Sequence, residues 1–294
     1  MTQSLLSQAI ADYAQQTETF LASRLAGLAA PHRLVSAMRH GSLNGGKRLR
    51  PLLVRQSAAL FGVAPEKSLA TGAALELVHC YSLVHDDLPD MDNDEMRRGK
   101  PTVWKAFDPA LAILAGDALL TEAFALLSDP QTHPDPAIRA ELVAALSLGA
   151  RQMVEGQVLD IEGETAALDE EAIFKMQALK TGALIRTGAE MGAILGQADH
   201  KQRAELLRYG VSAGLAFQIA DDILDVTASS AQLGKTAGKD AAQNKSTIVA
   251  LRGIDAAREI LNGAVAQGLQ ALEQFGTEAD MLRALIRHFA TREN

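Results

Sequence analysis

The chain has 294 residues, 48% of them hydrophobic, enough for a sizeable core in one domain or two close-packed lobes. A net charge of −8 argues against non-specific nucleic-acid binding. A single cysteine, Cys80, excludes an intrachain disulfide framework and fits a reducing compartment. Aromatic residues make up only 4%, while Ala, Leu, Glu, Gln and Arg are plentiful, which favours helix over sheet. The N-terminus lacks the basic start and continuous apolar core of a signal peptide, and the longest apolar runs are broken by Gly, Ser or charge. The expectation is a soluble cytoplasmic protein with no membrane insertion.

In chain order, residues 3–27 place Leu6, Ile10, Tyr13, Thr17, Phe20, Leu21 and Leu25 at helical spacing. Pro31 opens a short second helix. Residues 41–46, rich in Gly, Ser and Asn, read as a loop, and helix resumes over 47–60 with Pro51 in its first turn. After a turn at Gly62 and Pro65, a long apolar helix runs from Glu66 to about Leu88, where Pro89 ends or distorts it. Cys80 lies in this run and reads as a buried small hydrophobe. Residues 90–105 form a polar loop carrying R97-R-G-K100. Helices over 109–127 and 136–162 flank the three-proline loop SDPQTHPDP. Residues 168–195 read as one helix despite Gly182, Gly188 and Gly192, each of which weakens it by up to ~1 kcal/mol. Those glycines allow close packing or ligand approach, and core crowding explains them equally. A helix over 201–227 is followed by a loop over 228–247, then by helices over 248–274 and 277–291. There is no sustained β alternation and no tandem repeat.

Two acidic clusters break the local rules. H85-D-D-L-P-D-M-D-N-D94 puts five aspartates at a helix C-terminus, where the helix dipole and their mutual repulsion disfavour them. Bound cations reverse both penalties. D221-D-I-L-D225 sets Asp221 and Asp225 one turn apart on one helix face. In the first cluster Asp86 and Asp90 share a face only if helix persists past Pro89, and Asp92 needs unwound backbone to return towards the same ions. Carboxylates with open positions suit Mg²⁺ that also binds diphosphate oxygens. Paired glycosidase acids, a calcium store and a solvated acidic surface are the other readings. The first does not need two clusters and basic loops, and no EF-hand loop exists for the second.

These segments resemble the two aspartate-rich motifs of the trans-isoprenyl diphosphate synthases: H85-D-D-L-P-D-M-D92 has the long DDxxxxD form, and G-L-A-F-Q-I-A-D-D-I-L-D225 matches the second. The resemblance covers nearly the whole chain, from G45-G-K-R-L-R-P51 to K235-T-A-G-K-D240. Between them stand E76-L-V-H79, R97-R-G-K-P-T102, G116-D117, G156-Q157 and K180-T181 in family order. It implies an all-α isoprenoid synthase fold, a single domain over 1–294 with about ten core helices around a deep central active-site cavity. It also implies a homodimer, covered by an apolar helix surface around residues 106–127.

The implied chemistry is condensation of isopentenyl diphosphate with dimethylallyl and then geranyl diphosphate. Metal ligands are expected at Asp86, Asp87, Asp92, Asp221 and Asp225, holding three Mg²⁺ ions, or Mn²⁺ in their place. Arg97, Lys180, Thr181, Gln218 and Lys235 are expected at the allylic diphosphate. Gly46, Lys47, Arg50, His79 and Arg98 are expected at isopentenyl diphosphate. Arg supplies a planar fork for phosphate and Lys a point charge. Lys180, Thr181, Gln218, Asp86 and Asp221 are the expected catalytic groups, with released diphosphate taking the final proton. On spacing alone His79 is equally a satisfied helix histidine, and Arg97 and Arg98 equally a solvated basic turn. The loop around 235–239 and the C-terminal R-E-N are the expected lid.

Tyr81, with Ser82 beside it, precedes Asp86 by about 7.5 Å along an ideal helix. The resemblance makes Tyr81 the floor of the tail pocket and implies a fifteen-carbon product. A core aromatic explains Tyr81 as well when the family is set aside. A geranylgeranyl synthase is the alternative enzyme. A catalytically inactive synthase-like subunit is the alternative of another class, although both clusters and the basic residues are all present.

Overall fold

A computed structural model describes residues 3–163, 165, 168–227 and 247–291. The expected lid segments and Lys235 lie outside the described residues. Among the described residues the chain is all-α apart from one two-stranded hairpin, with about ten helices contributing to the core. Contacts divide it into two compact units, one of residues 2–55 with 63–143, the other of residues 56–62 with 144–294.

In the first unit, α1 (Gln3–Ala26), α2 (His32–Ser42), the start of α3 (Leu49–Ala59), α4 (Pro65–Asp86), the short α5 (Val103–Ala106) and α6 (Pro109–Ser128) pack together. Helix starts follow the sequence signals. Pro65 and Pro109 occupy first-turn positions, and the Asp108 carboxylate accepts from Leu111 N at 2.8 Å. Helix α2 runs on through Gly41 and Ser42, where a loop was expected. The reason is packing: a Cβ on Gly41 would lie 2.6 Å from Val84 Cγ2, so this glycine admits a neighbouring helix. The polar loop contains β1 (Met96–Arg97) paired antiparallel with β2 (Lys100–Pro101), joined by Arg98 and Gly99 at φ 52° and 74°. Positive φ at both central residues is the twist that two-residue hairpins need.

Helix α6 departs from the expectation that the apolar runs fall short of membrane-spanning length. By length and composition it suffices, with a mean hydropathy of 1.8. It packs on α4, however, and its buried Glu122 pairs with Arg24 at 2.6 Å, as suits a core helix.

The second unit contains most of α7 (Pro136–Gly163), α8 (Glu170–Gln177), a π-helical turn (Ala178–Gly182), α9 (Ala183–Leu195), α10 (His200–Thr227), α11 (Ile248–Ala271), a 3₁₀ turn (Thr277–Ala279) and α12 (Asp280–Ala290). Helix α10 packs against α9, α11 and α12. Glycines set the closest approaches. A Cβ on Gly214 would lie 2.9 Å from Gly182 Cα, and one on Gly156 only 2.1 Å from Lys180 N. The expected single helix over 168–195 is therefore two helices joined by a π turn, whose backbone lies directly against α7. Helix α11 is kinked at Gly253, φ 83°.

Candidate active site

Helix α4 stops at Asp86, three residues before Pro89, and the chain turns back on itself. Asp92 N–H donates to Asp86 O at 2.8 Å, while Met91 N and Asn93 N both donate to Leu88 O. This turn returns Asp92 to Asp86, which unwound backbone past Pro89 allowed. It also removes the helical spacing of Asp86 and Asp90, and Asp90 is exposed.

Asp86 and Asp92 are half-buried, but Asp87 is only 3% exposed. Arg97, on β1, reaches one Asp87 oxygen with Nε at 2.8 Å and a terminal nitrogen at 2.6 Å. Burial pushes the Asp87 carboxyl up, and Arg97 pulls against it. The structure thus engages Asp87 with Arg97, one of the bases expected at the allylic diphosphate.

The loop before α3 and the hairpin turn build a basic cluster. Gly45 and Gly46 stand at φ 83° and 117°. A Cβ on Gly46 would lie 2.7 Å from an Arg98 guanidinium nitrogen, so glycine there admits Arg98. Arg98 donates to Asn44 Oδ1 at 2.9 Å and to the Gly45 carbonyl. The pKa of His79 is held well below the usual imidazole value, first by burial, then by Arg50, Arg98, Arg48 and Arg97. Gly46, Arg50, His79 and Arg98 are thereby brought together, with Lys47 exposed beside Gly46.

Tyr81 is 7% exposed and meets the His85 ring edge-to-face at 5.7 Å. Burial, then Asp86, pushes its hydroxyl up to about 12. His85 Nε2 donates to Ile113 O at 3.0 Å, and its ring occupies the space where a Cβ on Gly116 would sit. Ser82 Oγ donates to His79 O within its own helix at 2.9 Å, which leaves Tyr81 as the bulkier group at this level.

In the second unit, α10 carries Asp221, Asp222 and Asp225. Asp222 is 3% exposed, and each of its oxygens accepts from an amide, Gln177 Nε2 at 2.7 Å and Gln218 Nε2 at 2.8 Å. Gln218 and Gln177 also line a cavity of about 210 Å³ with Phe174, Gly182, Arg186 and Leu215. Lys180, in the π turn next to Thr181, is ion-paired with the buried Asp160. Asp225 is 6% exposed, and its Oδ1 has no hydrogen-bond partner among the described residues.

Sequence reasoning missed Asp160, Gln177, Arg48 and Glu76. Asp160 lies three residues after Gln157 of the G-Q motif and Glu76 three before His79, so helical spacing from known motif residues was the available signal.

Among the described residues no group of three His, Cys, Asp or Glu side chains is gathered ready to hold an ion. The donors within each cluster are nevertheless carboxylate oxygens, which suit a hard cation such as Mg²⁺. A buried, unpartnered Asp225 oxygen is an acceptor that a cation would satisfy.

Comparison with known proteins bears on the family and the fold. Residues 31–280 match the family model described as polyprenyl synthetase. The chain is 41% identical over 265 residues to a farnesyl diphosphate synthase from Geobacillus stearothermophilus, covering 89% of each chain. It is 41% identical to a chloroplastic geranylgeranyl pyrophosphate synthase from Capsicum annuum, covering 90% of this chain and 73% of that one. A crystal structure of an FPP/GFPP synthase from Zymomonas mobilis superposes with a TM-score of 0.88 at 43% identity, covering 98% of this chain and 99% of that one.

Proposed function

The chain belongs to the polyprenyl synthetase family of trans-isoprenyl diphosphate synthases, and from that premise we propose that it makes (2E,6E)-farnesyl diphosphate in the cytoplasm. Its all-α architecture is the isoprenoid synthase fold of its solved relatives. The reaction joins dimethylallyl diphosphate to isopentenyl diphosphate, and then joins the resulting geranyl diphosphate to a second isopentenyl diphosphate.

Asp86, Asp92, Asp221 and Asp225 would hold Mg²⁺, with Asp87 and Asp222 steadied by Arg97 and by the two glutamines. When bound, Mg²⁺ supplies positive charge that stabilises a departing diphosphate. Arg97 and Lys180 add fixed charge to the same leaving group, and Lys235 is assigned with them by its motif. The allylic C–O bond breaks, the double bond of isopentenyl diphosphate attacks the allylic carbon, and the proton lost from the new chain passes to the released diphosphate. Thr181 and Gln218 present polar atoms to the cation, and water must be excluded or it would be trapped as an alcohol. Lys47, Arg50, His79 and Arg98, with Gly46 giving room, bind the isopentenyl diphosphate. A homodimer is part of this reading, supported by exposed Ile113 and Leu114 on α6.

The observation that carries the product length is the buried Tyr81 ring five residues before Asp86, braced by His85. The test is product analysis by mass after incubation with Mg²⁺, isopentenyl diphosphate and either dimethylallyl or geranyl diphosphate. A dominant fifteen-carbon diphosphate supports the proposal. A twenty-carbon product keeps the condensation and overturns the length. No condensation by folded, metal-supplied protein overturns the catalytic reading.

A further inference from the structure

Between Lys47 and Arg50 stands an arginine that the proposed chemistry does not use. Arg48 has its side chain wholly buried, while Lys47 beside it is exposed. Its guanidinium donates to Glu76 Oε1 at 2.7 Å, Glu18 Oε1 at 2.9 Å and Ser42 O at 2.6 Å. Those partners lie on α4, α1 and the last turn of α2.

The backbone is as specific as the side chain. Arg48 has φ 47°, a left-handed conformation that disfavours a residue with a Cβ by about 1 kcal/mol. Leu52 N–H donates to Arg48 O at 3.2 Å, so the residue also forms the cap of α3, which carries Arg50 in its first turn. The left-handed turn sends Arg48 inward and leaves Lys47 outside. Three hydrogen bonds from one planar fork hold that turn in place.

The far end of the contact matters equally. Glu76 lies three residues before His79 on α4, so the two are neighbours along the helix. The Arg48–Glu76 pair therefore ties the loop bearing Lys47 and Arg50 to the helix bearing His79. Without a bound anion the Lys47 and Arg50 charges repel one another, and a fixed contact is needed to hold both beside the neutral His79.

We propose that Arg48 and Glu76 are positioning residues that keep Lys47, Arg50 and His79 assembled as one diphosphate pocket for the second substrate. This rests on the reading of those residues as the isopentenyl diphosphate site. The role is one of binding, so its signature is selective. Loss of the pair weakens isopentenyl diphosphate and leaves the allylic substrate and the chemical step alone.

The experiment is steady-state kinetics on Arg48→Lys, the charge-matched Arg48→Met/Glu76→Leu double variant, and Lys47→Ala as control. Replacing a buried ion pair on both sides by apolar residues is commonly neutral or stabilising, so the double variant is expected to fold. Arg48→Lys keeps the charge but loses the fork, and it decides the matter if the double variant does not fold. The expected result is a rise in KM for isopentenyl diphosphate of at least about tenfold, with kcat and KM for geranyl diphosphate within about threefold of the parent. An unchanged KM in folded Arg48 variants, with Lys47→Ala impaired, overturns this inference alone. A uniform loss in all three parameters also overturns it, as a general structural defect. An unchanged KM in Lys47→Ala overturns the pocket assignment and the inference with it.

Discussion

Arg97 meets Asp87 twice through one carboxylate oxygen, at 2.6 and 2.8 Å, at the foot of α4. Asp222 is held comparably on α10, by Gln177 and Gln218. In each adjacent pair the second aspartate is buried and anchored, while the first, Asp86 or Asp221, stays half-buried. Asp87→Asn is therefore expected to lower kcat/KM for the allylic substrate by about 10–100-fold, by releasing Arg97. Because the two act as a unit, Asp87→Asn in an Arg97→Ala background should cost little more, within about threefold. Additive losses would instead show that Asp87 has an independent duty, such as direct metal ligation.

Asp225 makes the opposite case, a carboxylate kept at some expense to the fold. It is buried with Oδ1 unpartnered among the described residues, and an unmet buried acceptor costs stability until a donor or a cation satisfies it. Asp225→Asn should raise the stability of metal-free protein by about 1 kcal/mol, a few degrees in melting temperature for a chain of this size. The same change should abolish most of the stabilisation that added Mg²⁺ gives the parent. Melting curves with Mg²⁺ and with a chelator read both effects, and an unchanged Mg²⁺ response would remove Asp225 from the metal site.

The two anchors show where sequence reading succeeds and where it stops. Helix starts near Pro65 and at Pro109, and the end of α4 near Pro89, follow from local chemistry and were legible. The return of Asp92 towards Asp86 was legible as an option, because Pro89 disfavours a longer helix. The hairpin was not, because its turn is Arg98–Gly99 rather than an Asn–Gly pair. Nor was the π turn, which reflects α7 lying against the backbone of Lys180. Helical spacing from Gln157 and His79 puts Asp160 and Glu76 on the motif faces, but the partners of Asp160, Gln177 and Glu76 lie 20, 45 and 28 residues away, a pairing that periodicity does not encode.

Product length should respond to the support of Tyr81 as well as to Tyr81. Tyr81→Ala opens the floor and is expected to move the dominant product from fifteen carbons to twenty or more. Gly116→Ala puts a methyl 2.1 Å from His85 Nε2, which the ring must vacate. His85 then loses Ile113 O and its contact with Tyr81, so a longer-chain fraction should appear with Tyr81 still present. Chromatography of dephosphorylated products checks both. A Gly116→Ala enzyme of parental activity and product distribution would show that His85 does not brace the floor.

His79 supplies a prediction in pH. Burial first, then the arginines Arg50, Arg98, Arg48 and Arg97, hold its folded-state pKa well below the usual 6.5. The unfolded chain therefore takes up a proton near pH 6.5 that the folded protein refuses. The sign follows: the stability associated with neutral His79 is fully present above pH 6.5 and is lost as pH falls from there towards the depressed value. His79→Gln does not titrate, so its stability should fall less over the same interval. Urea unfolding of parent and variant at pH 7.5 and 5.5 gives the comparison, with the difference between them widening in favour of the variant at the lower pH. Parallel losses would mean that His79 protonates as readily folded as unfolded, and that the basic cluster does not act on it.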